Sequence, residues 1–509
     1  MTQIKIHKLI RTFVLLFSLL LLFSQIGIAQ KDGEDVTIGK YRILHSKIFN
    51  EDRLLVVHLP RDYESDMIRY PVLYHLYGDN IVDYIAPAMI ACDKLGQTGE
   101  APPMIIVGVA NTDRYRDNRG FNEDGSPGGA DKFIRFFKEE LFPFIDQNYR
   151  TNSFRIVAGP QAGAHFSLYA LITSPDLFGI SIATSPFEGD ERVASRLLAK
   201  TEESFAKMTS LKKFFYFTCE ENERPAALEQ AKRLSAFIES RKIENLDFRM
   251  VITKPSGFFI TPVPVLEALR TYFAGFRLPD DFRPENVDAV TAYYEKLSAK
   301  YGFTVDPPDL MLTFTADQLT EQGKVKEARK LLQYQLTLYP ASLNAFWRLG
   351  ELSRSQGDFA GARDYYKAFL SVRTQDTAII QERLSQVERI IASSAAYRIE
   401  QEISQEGIKS VLKKYREMMR NKESGLYFDE REFNALGYRL MNRGMLKESI
   451  EIFKLNVELH PDSANVYDSL GEAYMKIGKN KLALKNYEKS LELNPKNENA
   501  RLMIQKLKL

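Results

Sequence analysis

The sequence predicts two successive architectures: a doubly wound α/β sheet, followed by an all-α helical solenoid. In the first half, short apolar runs alternate with helical patterns, which is typical of parallel strands joined by helices. In the second half, small residues, aromatic residues and prolines recur every 34 residues, which indicates stacked helix pairs. At 509 residues the chain is long enough for two to four domains.

Composition and charge indicate a globular protein with no basic excess. Hydrophobic residues make up 44% of the chain and aromatic residues 12%, which is enough for a sizeable core. The 69 Lys and Arg nearly balance the 67 Asp and Glu, so we predict no nucleic-acid partner. Cys92 and Cys219 lie in apolar runs and are predicted as buried thiols, although an exported protein could pair them.

Residues 1–29 resemble an export signal. Lys5, Lys8 and Arg11 form a positive segment, an apolar run follows over 12–23, and small residues precede a predicted cleavage after Ala29. The apolar run is short for a spanning helix, so we expect no stable membrane span after cleavage; a retained anchor is the alternative. We predict export to the periplasm of a Gram-negative bacterium, with outer-membrane association or secretion left open.

The predicted α/β domain covers residues 38–277. Its apolar runs are 53–60, 70–78, 104–111, 154–159 and 213–219. From Pro71 onward these runs are apolar along their whole length, as strands covered on both faces should be. A helical pattern over 129–149 lies between two of them.

The stretch RIVAGPQAGAHF, residues 155–166, predicts a strand, a tight glycine turn and a helix. This is the layout of the nucleophile elbow, G-x-S-x-G, of α/β-hydrolases. Gly159 and Gly163 occupy the glycine positions, but Gln161 occupies the nucleophile position. A carboxamide is not a usable nucleophile, because it has no ionisable proton near neutral pH.

The domain resembles the Putative esterase family of α/β-hydrolases, which includes siderophore esterases and S-formylglutathione hydrolase. The matching stretches are LLVVHLPRDYESDMIRYPVLYHLYGDN, VANTDRYRDN, FFKEELFPFIDQNYR, VAGPQAG and SPDLFGISIATSPF. The resemblance implies an ester hydrolase. In that family an elbow serine attacks the carbonyl and a histidine, often oriented by an acid, takes the proton.

Carried over position by position, the resemblance implies a degenerate triad. The serine falls on Gln161 and the histidine near Gly257; the acid falls on the loop at Glu220, where Glu221 and Glu223 are also available. No histidine lies between His165 and His460 in the sequence. With both the nucleophile and the base missing, we predict a domain without catalytic residues. An active carboxylic-ester hydrolase with a rearranged site is the alternative.

A ligand pocket is predicted at the carboxyl edge of the sheet, where such folds bind ligands. Its candidate residues are Tyr77, Gly78, Arg114, Pro160 and Gln161. Arg114 could hold an anion there; a salt bridge to Asp113 or Asp117 is an equal alternative. Because no His, Cys, Asp and Glu cluster has metal-ligand spacing, we predict no metal and no cofactor.

Residues 309–509 carry the 34-residue period of tetratricopeptide repeats. The most complete unit has Tyr467, Leu470, Gly471, Tyr474, Gly478, Ala483, Tyr487 and Pro495. The predicted order is a linker over 278–308, a repeat pair over 309–376, a helical spacer or degenerate repeat over 377–429, and a second pair with a capping helix over 430–509.

Such repeats form a concave surface that binds peptides or protein segments. We therefore predict an exported pseudo-esterase scaffold with protein partners at the concave face of the repeats. A small-molecule ligand in the former active-site pocket is a further candidate. We also expect the repeat half to contain its own core and to fold independently.

Overall fold

The computed structural model describes residues 37–254, 262–279, 281–373, 377–421 and 425–508. The predicted signal segment and Gly257 lie outside these ranges. The described strands form one eight-stranded sheet in the order β1-β2-β4-β3-β5-β6-β7-β8. They are β1 (Lys40–Ser46), β2 (Glu51–His58), β3 (Tyr70–Leu76), β4 (Ile105–Val109), β5 (Thr151–Pro160), β6 (Ile180–Thr184), β7 (Ser210–Glu220) and β8 (Glu244–Thr253).

The sheet is mostly parallel. β2 pairs antiparallel with β4, whereas every pairing from β4 through β3, β5, β6 and β7 to β8 is parallel. All residues of β3, β4 and β6 are buried, as expected for strands covered on both faces. Because parallel strands end at the same edge, the residues that follow Leu76, Pro160, Thr184 and Glu220 meet there.

Helices connect these strands. They are α1 (Ala86–Thr98), α2 (Arg114–Asn118), α3 (Ala130–Phe136), α4 (Phe142–Asn148), α5 (Ala162–Thr173), α6 (Glu191–Lys207), α7 (Pro225–Arg241) and α8 (Pro262–Tyr272). One π-helical turn, Ile81–Ile85, leads into α1, and another, Phe137–Leu141, joins α3 to α4. The alternation of strands and helices confirms the predicted α/β class.

The predicted linker over 278–308 contains a helix, α9 (Val287–Tyr301). Its apolar side is buried in the core of the α/β domain through Val290, Tyr294 and Tyr301. The next residues continue this packing, since the rings of Phe303 and Phe154 have centroids 4.6 Å apart. The linker prediction was therefore wrong, because the apolar spacing within this polar stretch makes a core-facing helix.

Most of the remaining helices are arranged in pairs. They are α10 (Asp309–Glu321), α11 (Val325–Leu338), α12 (Leu343–Ser355), α13 (Phe359–Val372), α14 (Ala378–Ser393), α15 (Ala395–Glu406), α16 (Ile408–Asn421), α17 (Glu430–Asn442), α18 (Leu446–Leu459), α19 (Ala464–Lys476), α20 (Asn480–Leu493) and α21 (Glu498–Lys508). None of the helices in the described ranges is both long and apolar enough to cross a membrane.

The 34-residue period has a direct structural cause. A β-carbon built at Gly437 would lie 2.4 Å from the ring of Phe453, and one at Gly471 would lie 3.1 Å from the ring of Tyr487. Only glycine lets the two helices of a pair approach this closely. The glycines that follow the first helix in four of the pairs have φ between 72° and 80°, a region that favours glycine; they are Gly323, Gly357, Gly444 and Gly478.

Helices α10–α12 do not have a separate core. The side chains of Leu312, Leu331 and Leu349 belong to the same apolar cluster as the sheet, and the amide of Met67 donates to the carbonyl of Leu338 at 3.1 Å. From α13 onward, the helices form three further clusters of their own. The expectation that the whole repeat half contains its own core therefore fails for α10–α12.

Candidate functional site

The turn between β5 and α5 is as sharp as the sequence predicts. Gln161 has φ 48° and ψ −112°, a conformation that non-glycine residues adopt rarely and at a cost. Its amide donates to the carbonyl of Thr184 at 2.8 Å, and its carbonyl accepts from the amide of His165 at 2.9 Å. The side chain is exposed. The elbow geometry is thus present, with a carboxamide at its tip.

Two glycines make this turn possible. A β-carbon built at Gly163 would lie 3.1 Å from Cβ of Leu76, and one at Gly159 would lie 3.0 Å from the carbonyl carbon of Gly163. Any side chain at these positions would push α5 away from β5 and β3. The tight junction therefore depends on the absence of both side chains.

A cavity of about 190 Å³ lies next to the elbow at the carboxyl edge of the sheet. Its lining residues are Tyr84, Pro160, Gln161, Ser185, Glu188, Glu220, Asn222 and Glu223. They come from the ends of β5, β6 and β7 and from the turn before α1. This is the position where open α/β sheets bind ligands.

Carboxylates dominate the polar lining of this cavity. Glu223 accepts hydrogen bonds from the hydroxyl of Ser185 and from the amide of Glu220, the latter at 2.8 Å. Burial raises the pKa of Glu223 above its usual range. Glu188 pairs with Arg224 at 3.2 Å. The lining thus carries more negative than positive charge, with Arg224 as a neighbour of one carboxylate.

The backbone amide behind the elbow is already occupied. In α/β-hydrolases the N–H of the residue after the nucleophile is one of the two donors that hold the oxyanion. Here that N–H belongs to Ala162, and it donates to the hydroxyl oxygen of Tyr77 at 3.2 Å. Burial raises the pKa of Tyr77 to about 12, so the hydroxyl is neutral at physiological pH. A substrate oxygen would have to displace this phenol.

Comparison with known proteins supports the fold and the repeats. Residues 46–229 match the family model described as "Putative esterase", and residues 464–497 match a tetratricopeptide repeat. The chain carries an esterase-family domain and a tetratricopeptide repeat. The resemblance inferred from the sequence is confirmed to that extent.

Two curated relatives come from Bacillus subtilis. The uncharacterised protein YjcH is 33% identical over 147 residues, which cover 28% of this chain and 59% of YjcH. The ferri-bacillibactin esterase BesA is 29% identical over 137 residues, which cover 23% of this chain and 47% of BesA. The chain thus spans only about half the length of these relatives.

A solved structure supports the fold. The IroE-like serine hydrolase from Shewanella oneidensis aligns with a TM-score of 0.51 at 22% identity, and the match covers 58% of this chain and 98% of the hydrolase. At that identity the likeness shows the fold and not the activity. The first domain of this chain therefore has the same fold as that protein.

Of the five predicted pocket residues in the esterase domain, Pro160 and Gln161 line the cavity, whereas Tyr77, Gly78 and Arg114 do not. Tyr77 is buried behind the elbow. Gly78 packs against the neighbouring strand, because a β-carbon there would lie 2.4 Å from the carbonyl carbon of Gly108.

The guanidinium of Arg114 is held by other groups of the esterase domain. It pairs with Asp79 at 2.5 Å and stacks on the ring of Tyr77. The ion-pair partner of Arg114 is therefore Asp79, and not Asp113 or Asp117. Asp113 instead caps the start of α2 through the amides of Tyr115 and Arg116. An anion in the cavity would have to compete with Asp79.

The two histidines nearest the elbow lie in the core. His165 accepts a hydrogen bond from the amide of Gly120 at 3.3 Å, and burial lowers its pKa to about 3. His75 donates to the carbonyl of Leu76 at 2.6 Å, and burial lowers its pKa to about 4. Both rings are neutral, and neither lines the cavity. Gly257, where the triad histidine was expected, lies outside the described residues.

Sequence reasoning did not identify Ser185, Glu188 or Tyr84 as lining residues. Ser185 follows the buried strand β6, so its place at the carboxyl edge could have been inferred from that strand. Its contact with Glu223 depends on tertiary packing and has no local signal. Cys92 and Cys219 are both buried free thiols, and burial raises the pKa of each. No group of three His, Cys, Asp or Glu within the described ranges is arranged to hold a metal ion.

Proposed function

We propose that this protein is a non-catalytic esterase-fold scaffold that binds protein partners through its helical repeats. One observation carries the proposal. At the elbow a carboxamide replaces the nucleophile, while the hydroxyl of Tyr77 occupies the amide of Ala162 that would stabilise the oxyanion. Loss of an oxyanion donor alone costs about 10²–10³ in rate. Loss of the nucleophile removes the covalent step itself.

The direct test is ester hydrolysis by the purified full chain. We expect the rate with p-nitrophenyl acetate to equal that of a buffer control and to rise linearly with substrate. Ser185→Ala should leave this background unchanged. A rate that saturates with substrate and falls in Ser185→Ala would contradict the proposal.

A saturable rate that falls in Ser185→Ala would favour a second candidate function, an active hydrolase with a rearranged site. The supporting observation is the hydrogen bond from Ser185 to Glu223 inside the cavity. Ser185 Oγ would bond to the substrate carbonyl carbon while Glu223 accepts its proton; the ester C–O bond then breaks and the leaving alcohol takes the proton from Glu223. Water would hydrolyse the acyl-serine in the same way, with Glu223 again as the base. Burial favours such a base, because it raises the pKa of Glu223 and so makes its carboxylate more basic.

The cavity is also proposed to hold a small ligand without cleaving it. The carboxylates of Glu188, Glu220 and Glu223 favour a positively charged ligand over an anion, since like charges repel at this range. A thermal-shift comparison of putrescine with succinate tests the sign of the charge. We expect putrescine alone to raise the melting temperature, and Glu188→Gln to reduce its effect.

Export belongs to the same proposal. It is supported by the positive, apolar and small-residue segments over 1–29. N-terminal sequencing of the protein recovered from its native cell envelope should begin at Gln30. A sequence that starts at Met1 would show that the segment is retained.

A further inference from the structure

Lys326, at the start of α11, contacts helices that lie far away in the sequence. Its Nζ lies 2.7 Å from Oε2 of Glu472 on α19, a separation of 146 residues. The same ammonium group lies 5.2 Å from the centroid of the Tyr438 ring on α17. The ammonium group of Lys326 therefore contacts α17 and α19. These are the first helices of the two C-terminal pairs.

The surface that receives this cation consists of Tyr438, Asp468 and Glu472, and we call it the acidic–aromatic surface. The hydroxyl of Tyr438 donates to Glu472 at 2.9 Å, which fixes the carboxylate beside the ring. Asp468 lies one turn before Glu472 on α19; burial is the main cause that raises its pKa, and the charge of Lys326 only partly opposes this effect. The amide of Asn499 orients Asp468 at 2.9 Å.

This arrangement is suited to a lysine ammonium group. Two carboxylates four residues apart on one helix repel each other, so a cation that faces both relieves the repulsion. An aromatic face within about 6 Å adds a cation–π attraction. The three side chains thus supply the charge and the ring face that an alkylammonium group binds.

The internal cation is held weakly. The side chain of Lys326 is 65% exposed and that of Glu472 is 29% exposed. Solvent on the lysine side screens the pair, so its contribution lies near the range of about 0.2–1 kcal/mol that exposed ion pairs have. The surrounding helices are held by firmer contacts, because Asp358 pairs with Arg439, whose side chain is only 19% exposed. A β-carbon at Gly357 would lie 2.5 Å from Cβ of Arg431, so the turn packs directly on α17. Removal of Lys326 therefore leaves the surface in place.

We propose that the acidic–aromatic surface is a binding site for a lysine-bearing peptide segment of a protein partner, and that Lys326 is an internal ligand which the partner displaces. The proposal rests on the proposed function, since it assigns a partner chemistry to the repeats. Lys326 lowers the apparent affinity for the partner, because only the fraction of molecules with a vacant surface is competent to bind.

The test uses the full chain and a fluorescein-labelled peptide, Gly-Lys-Gly-Lys-Gly, with binding followed by fluorescence anisotropy at low salt. Lys326→Gln should bind this peptide about two- to fivefold more tightly than wild type, the gain expected from losing one exposed ion pair. Lys330→Gln is the matched control. That residue lies on the same helix with a similar exposure and pairs locally with Glu327, so its loss should change nothing.

Two further arms identify the site. Glu472→Gln should weaken binding in both the wild type and the Lys326→Gln background, and replacement of the peptide lysines by norleucine should abolish it. Melting temperatures within about 2 °C of wild type establish that each variant is folded. Equal affinity of wild type and Lys326→Gln, or undiminished binding by Glu472→Gln, would overturn the site. If the Glu472→Gln variant still captures a protein partner, the proposed function holds and the partner binds at a different surface.

Discussion

The hydroxyl oxygen of Tyr77 lies 3.2 Å from the backbone nitrogen of Ala162, on the donor that a serine hydrolase keeps free for its oxyanion. Tyr77 itself has φ 70°, so its backbone adopts a conformation that is uncommon for a large residue. The side chain is nevertheless almost completely buried. The phenol is therefore a fixed part of the elbow and not a passing contact.

We predict that Gln161→Ser alone does not create an esterase. The new hydroxyl would have no described histidine within reach to accept its proton, and its oxyanion donor would still be bound to Tyr77. Labelling with a fluorophosphonate probe should stay at the wild-type level in Gln161→Ser and in Gln161→Ser/Tyr77→Phe. Strong labelling of the single variant would show that another base serves the site.

We predict that Gly163→Leu destabilises the protein by about 1–3 kcal/mol, because the added side chain must displace Leu76 or α5. Gln161→Ala is the neighbouring control. Since the Gln161 side chain is exposed, its loss should change stability by less than about 0.5 kcal/mol. Thermal unfolding of the full-length variants measures both. A silent Gly163→Leu would contradict the tight elbow described above.

We predict that a fragment covering 309–508 is only partly folded. Helices α10–α12 would lose the sheet against which they pack, whereas α17–α21 keep their own apolar clusters. Hydrogen exchange should therefore be fast in α10–α12 and slow in α17–α21. Uniform protection across the fragment would mean that the first pair does not need the esterase domain.

We predict a pH-dependent contribution from Glu432 on α17. Its side chain is buried beside Asp429, with a hydrogen bond from Ser394 to Oε2 and no partner for Oε1 among the described residues. Burial is the main cause that raises the pKa of Glu432 from 4.5 to about 7, and the charge of Arg439 only partly opposes it. The folded state therefore keeps the proton over a pH range in which the unfolded chain has lost it.

The sign follows from that pKa difference. The stabilisation is fully present below about pH 4.5 and is lost as the pH rises through 7, by about 3 kcal/mol at most. Unfolding free energies of wild type and Glu432→Gln should therefore diverge between pH 5 and 8, with the variant favoured at high pH. The control is Glu498→Gln, whose side chain is 76% exposed. A constant difference between wild type and Glu432→Gln would rule out this titration.

Sequence patterns predicted those parts of the fold that repeat or that are uniformly apolar. The buried strands, the glycine positions of the elbow and the 34-residue period all appear in the structure, because each depends on local spacing. The helix α9 was missed because its apolar residues, among them Val290, Tyr294 and Tyr301, lie within a polar, proline-bearing stretch. The side of α9 that faces the core can be recognised only from its packing against the sheet.

The site was less predictable than the fold. Gln161 and Pro160 follow from the elbow pattern, but the contact between Tyr77 and Ala162 joins residues 85 positions apart. The partner of Arg114 is a carboxylate in another loop. These contacts depend on how the strands and loops pack together, so no periodic pattern in the sequence predicts them. Apart from the linker over 278–308, the domain boundaries drawn from the sequence stay predictions.

The ring contact between Phe154 and Phe303 has a consequence for geometry at larger scale. Through this contact, the segment that leads into the first repeat pair packs against the sheet. Tyr301 of α9 packs against the same Phe303 ring. Within the described residues, the segment between the sheet and the first repeat pair is therefore packed against the sheet. If a partner binds this protein through α10 and α11, the cavity beside the elbow keeps a fixed orientation relative to that partner. Several copies bound in this way to one surface would all present their cavities on the same side.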